Sequence, residues 1–188
     1  AGSAGFTYAL STTGQRLITG RGPAGGTRLR RYWEPSPAFV DHILAVSELY
    51  VQLQEAARLG DIELINFEAE PAAWRSWEGP SGQPLVLRPD AYIVTADRDT
   101  EVFVFLELDR GTESLRVIQR KAAVYIDYWR SGTEQRRQAV FPKVLFVVPD
   151  QRRLNGIVQV LSHLEATSWQ LFQVVTTPGA LAAVTGRP

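Results

Sequence analysis

The run Glu101-Val-Phe-Val-Phe-Leu-Glu-Leu-Asp109 constrains the fold more than any other part of the chain. It is dense in β-branched and aromatic residues and reads as a strand. Side chains alternate across a strand, so Val102, Val104, Leu106 and Leu108 share one face. Phe103, Phe105, Glu107 and Asp109 share the other. Two carboxylates therefore leave the same face at the C-terminal end. At a rise of about 3.3 Å per residue, their Cβ atoms stand roughly 6–7 Å apart. Side by side they repel unless a cation or a proton intervenes.

The flanking sequence supplies the rest of a sheet. Residues 37–59 form an amphipathic helix, with Phe39, Ile43, Val46, Tyr50, Leu53 and Ala57 at helical spacing and Gly60 as its stop. Residues 62–67 alternate as a strand, 71–77 read as a helical turn, and 79–82 form a turn. Residues 85–95 are a strand pair or one bent strand, interrupted at Pro89, and 97–100 form a hairpin turn into the central run. Thr112 caps a helix that runs to about residue 130 and stops at Gly132. A buried strand at 142–148, a helix at 150–165, a strand at 169–175 and a short helix at 178–184 complete the chain. Helices alternating with nearly all-apolar strands predict an α/β fold: a mixed sheet with helices on both faces.

The N-terminal part is different. Ala1-Gly2-Ser3-Ala4-Gly5 reads as a tag remnant, and the sequence has no Met. Residues 6–10 suit a short strand and 11–18 a helical turn. Residues 20–37 hold four Gly and three Pro, as a linker or loop does. The expected organisation is thus a tag remnant (1–5), an arm with its linker (6–36) and a main domain (37–188). A length of 188 residues suits one domain with an appendage, against roughly 100–200 for a typical domain.

Composition removes several function classes. There is no Cys, which excludes disulfides, thiolate zinc sites and cysteine nucleophiles. The two histidines, His42 and His163, are far apart in sequence, so a His-rich metal site is excluded. A metal here would be held by carboxylates, which favours Mg²⁺, Mn²⁺ or Ca²⁺. No apolar run approaches the roughly 20 residues that span a bilayer, and no signal peptide is visible, so a cytoplasmic chain without membrane contact is expected. Walker A, dinucleotide-glycine and G-x-S-x-G patterns are absent. Twenty basic residues balance twenty acidic ones, so any attraction for DNA must come from local patches. All but Lys121 and Lys143 of the basic residues are Arg, which makes each lysine conspicuous.

The hairpin brings Asp90 of Arg88-Pro89-Asp90 towards Glu107 and Asp109, so three carboxylates converge. The following helix carries Lys121 at the edge of its apolar stripe, with Tyr125 one turn on. In one reading the Lys121 ammonium reaches back to Glu107 and Asp109. The carboxylates then hold Mg²⁺ or Mn²⁺ and the lysine stabilises phosphodiester charge. In the other, Lys121 snorkels to solvent and Glu107 pairs with an arginine such as Arg88.

This order of elements is similar to the core of the PD-(D/E)xK nuclease superfamily, a restriction-endonuclease-like fold. Pro89-Asp90 matches its first motif, and Glu107-Leu108-Asp109 stands at its second with Asp in place of Lys. In some branches the lysine migrates to the next helix, where Lys121 lies. Lys121-Ala-Ala-Val-Tyr125 also resembles the QxxxY motif of RecB-type members, with Lys in place of Gln. More closely, the chain resembles the replication-relaxation family of bacterial plasmid and mobile-element proteins over residues 38–150. The matching text is Asp41-His42-Ile43-Leu44-Ala45-Val46 with Tyr50-Val51, Arg88-Pro89-Asp90, Phe105-Leu-Glu-Leu-Asp-Arg-Gly-Thr-Glu113, Lys121, Tyr125 and Phe141-Pro-Lys-Val-Leu-Phe-Val-Val148.

The resemblance implies DNA, plasmid DNA above all, as the partner, together with replication or conjugation proteins. It further implies an N-terminal winged helix, of which residues 6–36 hold a remnant. The enzyme reading is an Mg²⁺-dependent endodeoxyribonuclease. Its residues are Asp90, Glu107, Asp109, Lys121 and Tyr125, of which Asp90, Glu107 and Asp109 are the metal ligands. The alternative is a non-catalytic DNA-binding or replication-scaffold module, which Asp109 at the lysine position favours. His42 falls where some RecB-type nucleases place a metal-proximal histidine. Glu48 and Glu55 suit a solvated helix face. Arg28, Arg30 and Arg31, next to Tyr32 and Trp33, form a candidate DNA-binding patch. Arg136-Arg137 and Arg152-Arg153 are further pairs, the latter at a helix N-terminus that also attracts anions.

Overall fold

The computed structural model describes residues 36–97, 100–165 and 167–186, with Ser11, Thr13, Gly14 and Leu17. The chain divides into a unit over 1–40 and a unit over 41–188. The arm assigned to 6–36, including Arg28, Arg30 and Arg31, lies almost wholly outside the described residues.

Helix α1 (Pro37–Arg58) begins with Pro at a position where its missing N–H costs nothing. It buries Val46, Leu49 and Leu53, spaced three and four apart, and stops at Gly60, whose φ of 77° suits a residue without Cβ. The strands are β1 (Glu63–Ala69), β2 (Arg75–Glu78), β3 (Pro84–Leu87), β4 (Ala91–Ala96), β5 (Glu101–Leu108), β6 (Lys143–Val148) and β7 (Phe172–Thr176). The remaining α-helices are α2 (Leu115–Ser131), α3 (Thr133–Gln138), α4 (Gln151–Leu161) and α5 (Ala180–Thr185).

Five strands form one mixed sheet in the order β1-β4-β5-β6-β7. β1, β4 and β5 are antiparallel neighbours, while β5, β6 and β7 run parallel. The run singled out first in the sequence is therefore the central strand. Its alternation sorts two cores. Phe105 packs with Tyr92, with Ile118, Ala122 and Tyr125 of α2, and with Ile157 of α4. Val104 and Leu106 pack on the opposite face with Leu49 and Leu53 of α1 and Val184 of α5. Helices on both faces explain why neither face of β5 needs to be polar until its last turn.

The structure corrects several boundaries. The helical turn expected over 71–77 stops by residue 73, and Arg75–Glu78 is strand β2, antiparallel to β3. Its burial alternates, with Arg75 and Trp77 inward and Ser76 and Glu78 outward. Trp77 packs on Tyr128 of α2, with ring centroids 5.0 Å apart, a tertiary contact that overrides the local helical signal. Helix α2 is capped by Ser114 rather than Thr112. The delay comes from a turn in which Gly111, at φ 77°, donates to Asp109 Oδ1 at 3.1 Å. Gly132, at φ 68°, ends α2 as expected but also opens the unforeseen α3. Helix α4 ends at Leu161, short of residue 165, and residues 169–171 make a 3₁₀ turn before β7.

Candidate active site

The C-terminal end of β5 lies beside the start of β4, because the two strands are antiparallel and Ala91 pairs with Leu106. Asp90 is held there by its own backbone. Its N–H donates to the Leu106 carbonyl at 3.0 Å. Its Oδ2 accepts from the Leu108 N–H at 2.6 Å, and its Oδ1 lies 3.2 Å from Nε2 of His42 on α1. Glu107 is only 3% exposed. Its Oε2 accepts from Lys121 Nζ at 2.9 Å, and its Oε1 from the Tyr125 hydroxyl at 2.6 Å. Lys121 and Tyr125, four apart on α2, cover one carboxylate together because residues at that spacing lie one above the other. Lys121 Nζ also lies 3.2 Å from Oε2 of Glu113, a neighbour that no periodic signal in the sequence announces.

Electrostatics bind the cluster into one unit. Burial first, then the charge of Asp90, push the Glu107 carboxyl up to about 7, against the opposing pull of Lys121 and Tyr125. Burial opposes charge on Lys121, but Glu107 outweighs it and holds the ammonium charged well beyond neutral pH. Both groups are thus raised: the ammonium keeps its proton, and the carboxyl holds its own to near neutral pH. Once ionised, the carboxylate is held by a donor on each oxygen, Lys121 on Oε2 and Tyr125 on Oε1. Tyr125 is raised by burial and then by Glu107, so its hydroxyl stays protonated as a donor. His42 is raised above 6.5 chiefly by its hydrogen bond to Asp90, against the opposing effect of burial.

The other candidates take different places. Asp109 is buried, but it forms a two-pronged pair with Arg153, through Nε to Oδ2 and through Nη2 to Oδ1 at 3.2 Å. Arg153 Nη2 also donates to the Glu113 carbonyl at 2.7 Å. Asp109 and Arg153 therefore engage each other, the first expected as a metal ligand and the second as a phosphate contact. Among the described residues no three His, Asp or Glu side chains lie together in a way that could hold a metal ion. Arg152 is exposed in the first turn of α4, whose cap is the Asp150 side chain. Arg136 and Arg137 lie at the other end of the sheet, in an open groove of about 550 Å³ shared with Glu101 and Phe103. Glu101 begins β5 and Glu107 nearly ends it, a separation of roughly 20 Å along the strand. Glu48 and Glu55 are exposed on α1. Arg88 does not pair with Glu107 but lies over the Trp74 ring, 5.1 Å from its centroid.

A buried polar network was not foreseen. Arg75, 5% exposed, reaches Glu68 Oε2 at 2.9 Å and lies 3.6 Å from Oε2 of the fully buried Glu134. Glu134 also accepts from the Tyr128 hydroxyl. Nothing in the sequence distinguishes these residues from ordinary surface charges.

Comparison with known proteins adds a family. No curated protein and no solved structure matches the chain. A family model described as replication-relaxation matches residues 1–144 of the 188. The matched part contains α1, β1–β5 and α2, and with them His42, Asp90, Glu107, Lys121 and Tyr125; it stops before Arg152 and Arg153. With about three quarters of its length inside that match, the chain belongs to the replication-relaxation family.

Proposed function

We propose that this chain nicks or cleaves DNA with the help of Mg²⁺ or Mn²⁺, in the replication or relaxation of plasmid or mobile-element DNA. The core is then a PD-(D/E)xK-like nuclease domain, and residues 6–36 are the end of a winged-helix arm. The observation that carries this reading is the approach of Asp90, just before β4, to buried Glu107 near the end of β5, with the Lys121 ammonium 2.9 Å from Glu107. A buried carboxyl raised as Glu107 is, beside the like charge of Asp90, is typical of functional sites.

The donor set fits a hard cation. Each oxygen of Asp90 and Glu107 accepts from one protein donor or faces one, which leaves a second lone pair on each. Mg²⁺ is commonly held by one or two carboxylates, with water and substrate phosphate completing its shell. Asp90 and Glu107 would hold it there, and Asp109 would not, since its Oδ1 already accepts from both the Gly111 N–H and Arg153 and the guanidinium lies across both oxygens. The bound ion would supply Lewis acidity and a more acidic water. Lys121 would offset the negative charge that builds on the phosphate. Tyr125 would orient Glu107, and His42 would orient Asp90 and carry a proton between its Nε2 and solvent.

Supercoiled plasmid incubated with Mg²⁺ or Mn²⁺ is expected to become nicked or linear. Asp90→Ala and Glu107→Ala are expected to abolish this, and equal activity in those variants would assign it to another site or a contaminant. A second reading, a DNA-binding module of the same fold without chemistry, is favoured by the protein donors already placed around these carboxylates. Calorimetric titration with Mn²⁺ separates the two: the nuclease binds the ion and Glu107→Gln does not, whereas the scaffold shows no heat in either form.

A further inference from the structure

Trp74 is 39% exposed, belongs to neither core, and sits at the same end of the sheet as Asp90 and Glu107. Its place follows from the topology. β1 ends at Ala69, paired with Ala91, and the Glu70 N–H donates to the Asp90 carbonyl at 3.1 Å. The chain then turns through Pro71 to Trp74, whose N–H donates to the Pro71 carbonyl at 3.2 Å. Arg88 approaches from the other side, two residues before Asp90, and lies over the indole. Two residues of chain span at most about 7 Å, so the Arg88 backbone stands within that distance of Asp90.

The turn is also fastened from within. Nη1 of the buried Arg75 donates to the carbonyls of Ala72, Ala73 and Trp74 at 3.2, 2.9 and 3.3 Å. Nη2 donates to Glu68 Oε2 at 2.9 Å, while Nε lies 3.6 Å from Glu134 Oε2 without a hydrogen bond. A buried charge of this kind costs stability unless its geometry is well satisfied. Here it fixes the backbone of the turn that carries the part-exposed Trp74, and the Arg88 guanidinium over the ring restrains the indole itself, so less ordering is left to lose on binding. Arg88 is exposed and, among the described residues, makes no ion pair, so its charge is available to an anionic ligand.

We propose that Trp74 and Arg88 form a stacking platform for an unpaired nucleotide of DNA beside the candidate active site. This rests on the DNA-processing reading above and adds to it a subsite for one base out of the stack, at a single strand, a junction or a site opened by negative supercoiling. An aromatic ring and a guanidinium stack with any base, and the guanidinium also meets the backbone phosphate. In a duplex both faces of an interior base are taken up by its neighbours, which leaves none for the indole.

The test is fluorescence anisotropy of the full chain in EDTA, with three labelled probes of equal length: an oligothymidylate, an abasic strand and a blunt duplex. Wild type is expected to bind the oligothymidylate more tightly than the abasic strand. Trp74→Ala is expected to weaken oligothymidylate binding by about 5- to 100-fold, the range for losing one stacked base, and to leave abasic and duplex binding within about twofold. Trp74→Phe is expected to restore most of the loss. Equal wild-type affinity for oligothymidylate and abasic strand would overturn the platform without recourse to any variant. So would an unchanged affinity in folded Trp74→Ala, or no binding of oligothymidylate at all. Plasmid nicking is read separately. Trp74-dependent binding without metal-dependent nicking would refute the nuclease and leave the platform standing.

Discussion

At Glu107 burial and the neighbouring charge of Asp90 have a measurable consequence for stability. The carboxyl titrates near 4.5 when unfolded and near 7 when folded. Between those values the folded chain keeps a proton that the unfolded chain has released, so stability falls as pH rises from 4.5 to about 7. His42 acts in the same direction. Its folded value is raised above 6.5, so its contribution is complete below 6.5 and is lost as pH rises through the folded value. Urea midpoints are therefore expected to drop from about pH 5 to about pH 8, and Glu107→Gln to flatten that drop. A variant with the wild-type slope would mean that Glu107 does not titrate in this range. The same proton separates stability from function, because a carboxylate binds a cation only after losing it. Residue identity was legible here: Asp90, Glu107, Lys121 and Tyr125 stood out by type and spacing. The commitment of Asp109 to Arg153, 44 positions on, left no local trace.

At the scale of elements, α2 carries most of the design. One helix supplies Lys121 and Tyr125 to the site, Ile118 and Ala122 to the core, and Tyr128 to the buried Arg75–Glu134 network. Removing one member of such a network leaves the other charge buried without its partner. Glu134→Ala is expected to cost about 3–5 kcal/mol in denaturant unfolding, because Arg75 loses its buried counter-charge. A loss below about 1 kcal/mol would mean that Glu68 alone neutralises Arg75. The β2–β3 hairpin shows the limit of local reading. Residues 71–77 contain a real turn, but the alternation from Arg75 to Glu78 becomes a strand only because Leu85 and Val86 lie opposite to pair with it.

Across the whole molecule, a net charge of zero leaves binding to the arrangement of exposed arginines. The structure distributes them unequally. Arg88, Arg110 and Arg152 are exposed near the end of the sheet that carries Glu107, while Arg136 and Arg137 are at the far end. Contact with three or four phosphates predicts a slope near −3 for log affinity against log salt on duplex DNA. Arg152→Ala is expected to flatten that slope by about 1, and Arg136→Ala to leave it unchanged. The reverse result, read by anisotropy over a KCl series, would place DNA on the opposite end of the sheet. No helix among the described residues is long and apolar enough to cross a membrane.

The sequence by itself determined the alternation of the central run, a mixed sheet covered on both faces, the hairpin that brings Asp90 towards Glu107, and the one-turn spacing of Lys121 and Tyr125. Those features rest on short-range rules: alternation along a strand, one turn along a helix, and a hairpin that joins strands across a few residues. It missed β2 and α3 and left open whether Lys121 turns to Glu107. Only the tertiary structure decided that Asp109 turns to Arg153, that Arg136 and Arg137 lie far from the carboxylates, and that Arg75 sits buried behind Trp74. Each of those depends on which distant surface closes over a charge. An arginine reads the same in a sequence whether it faces water or a buried glutamate, because the cost of desolvation and the partner that offsets it exist only once the layers have packed.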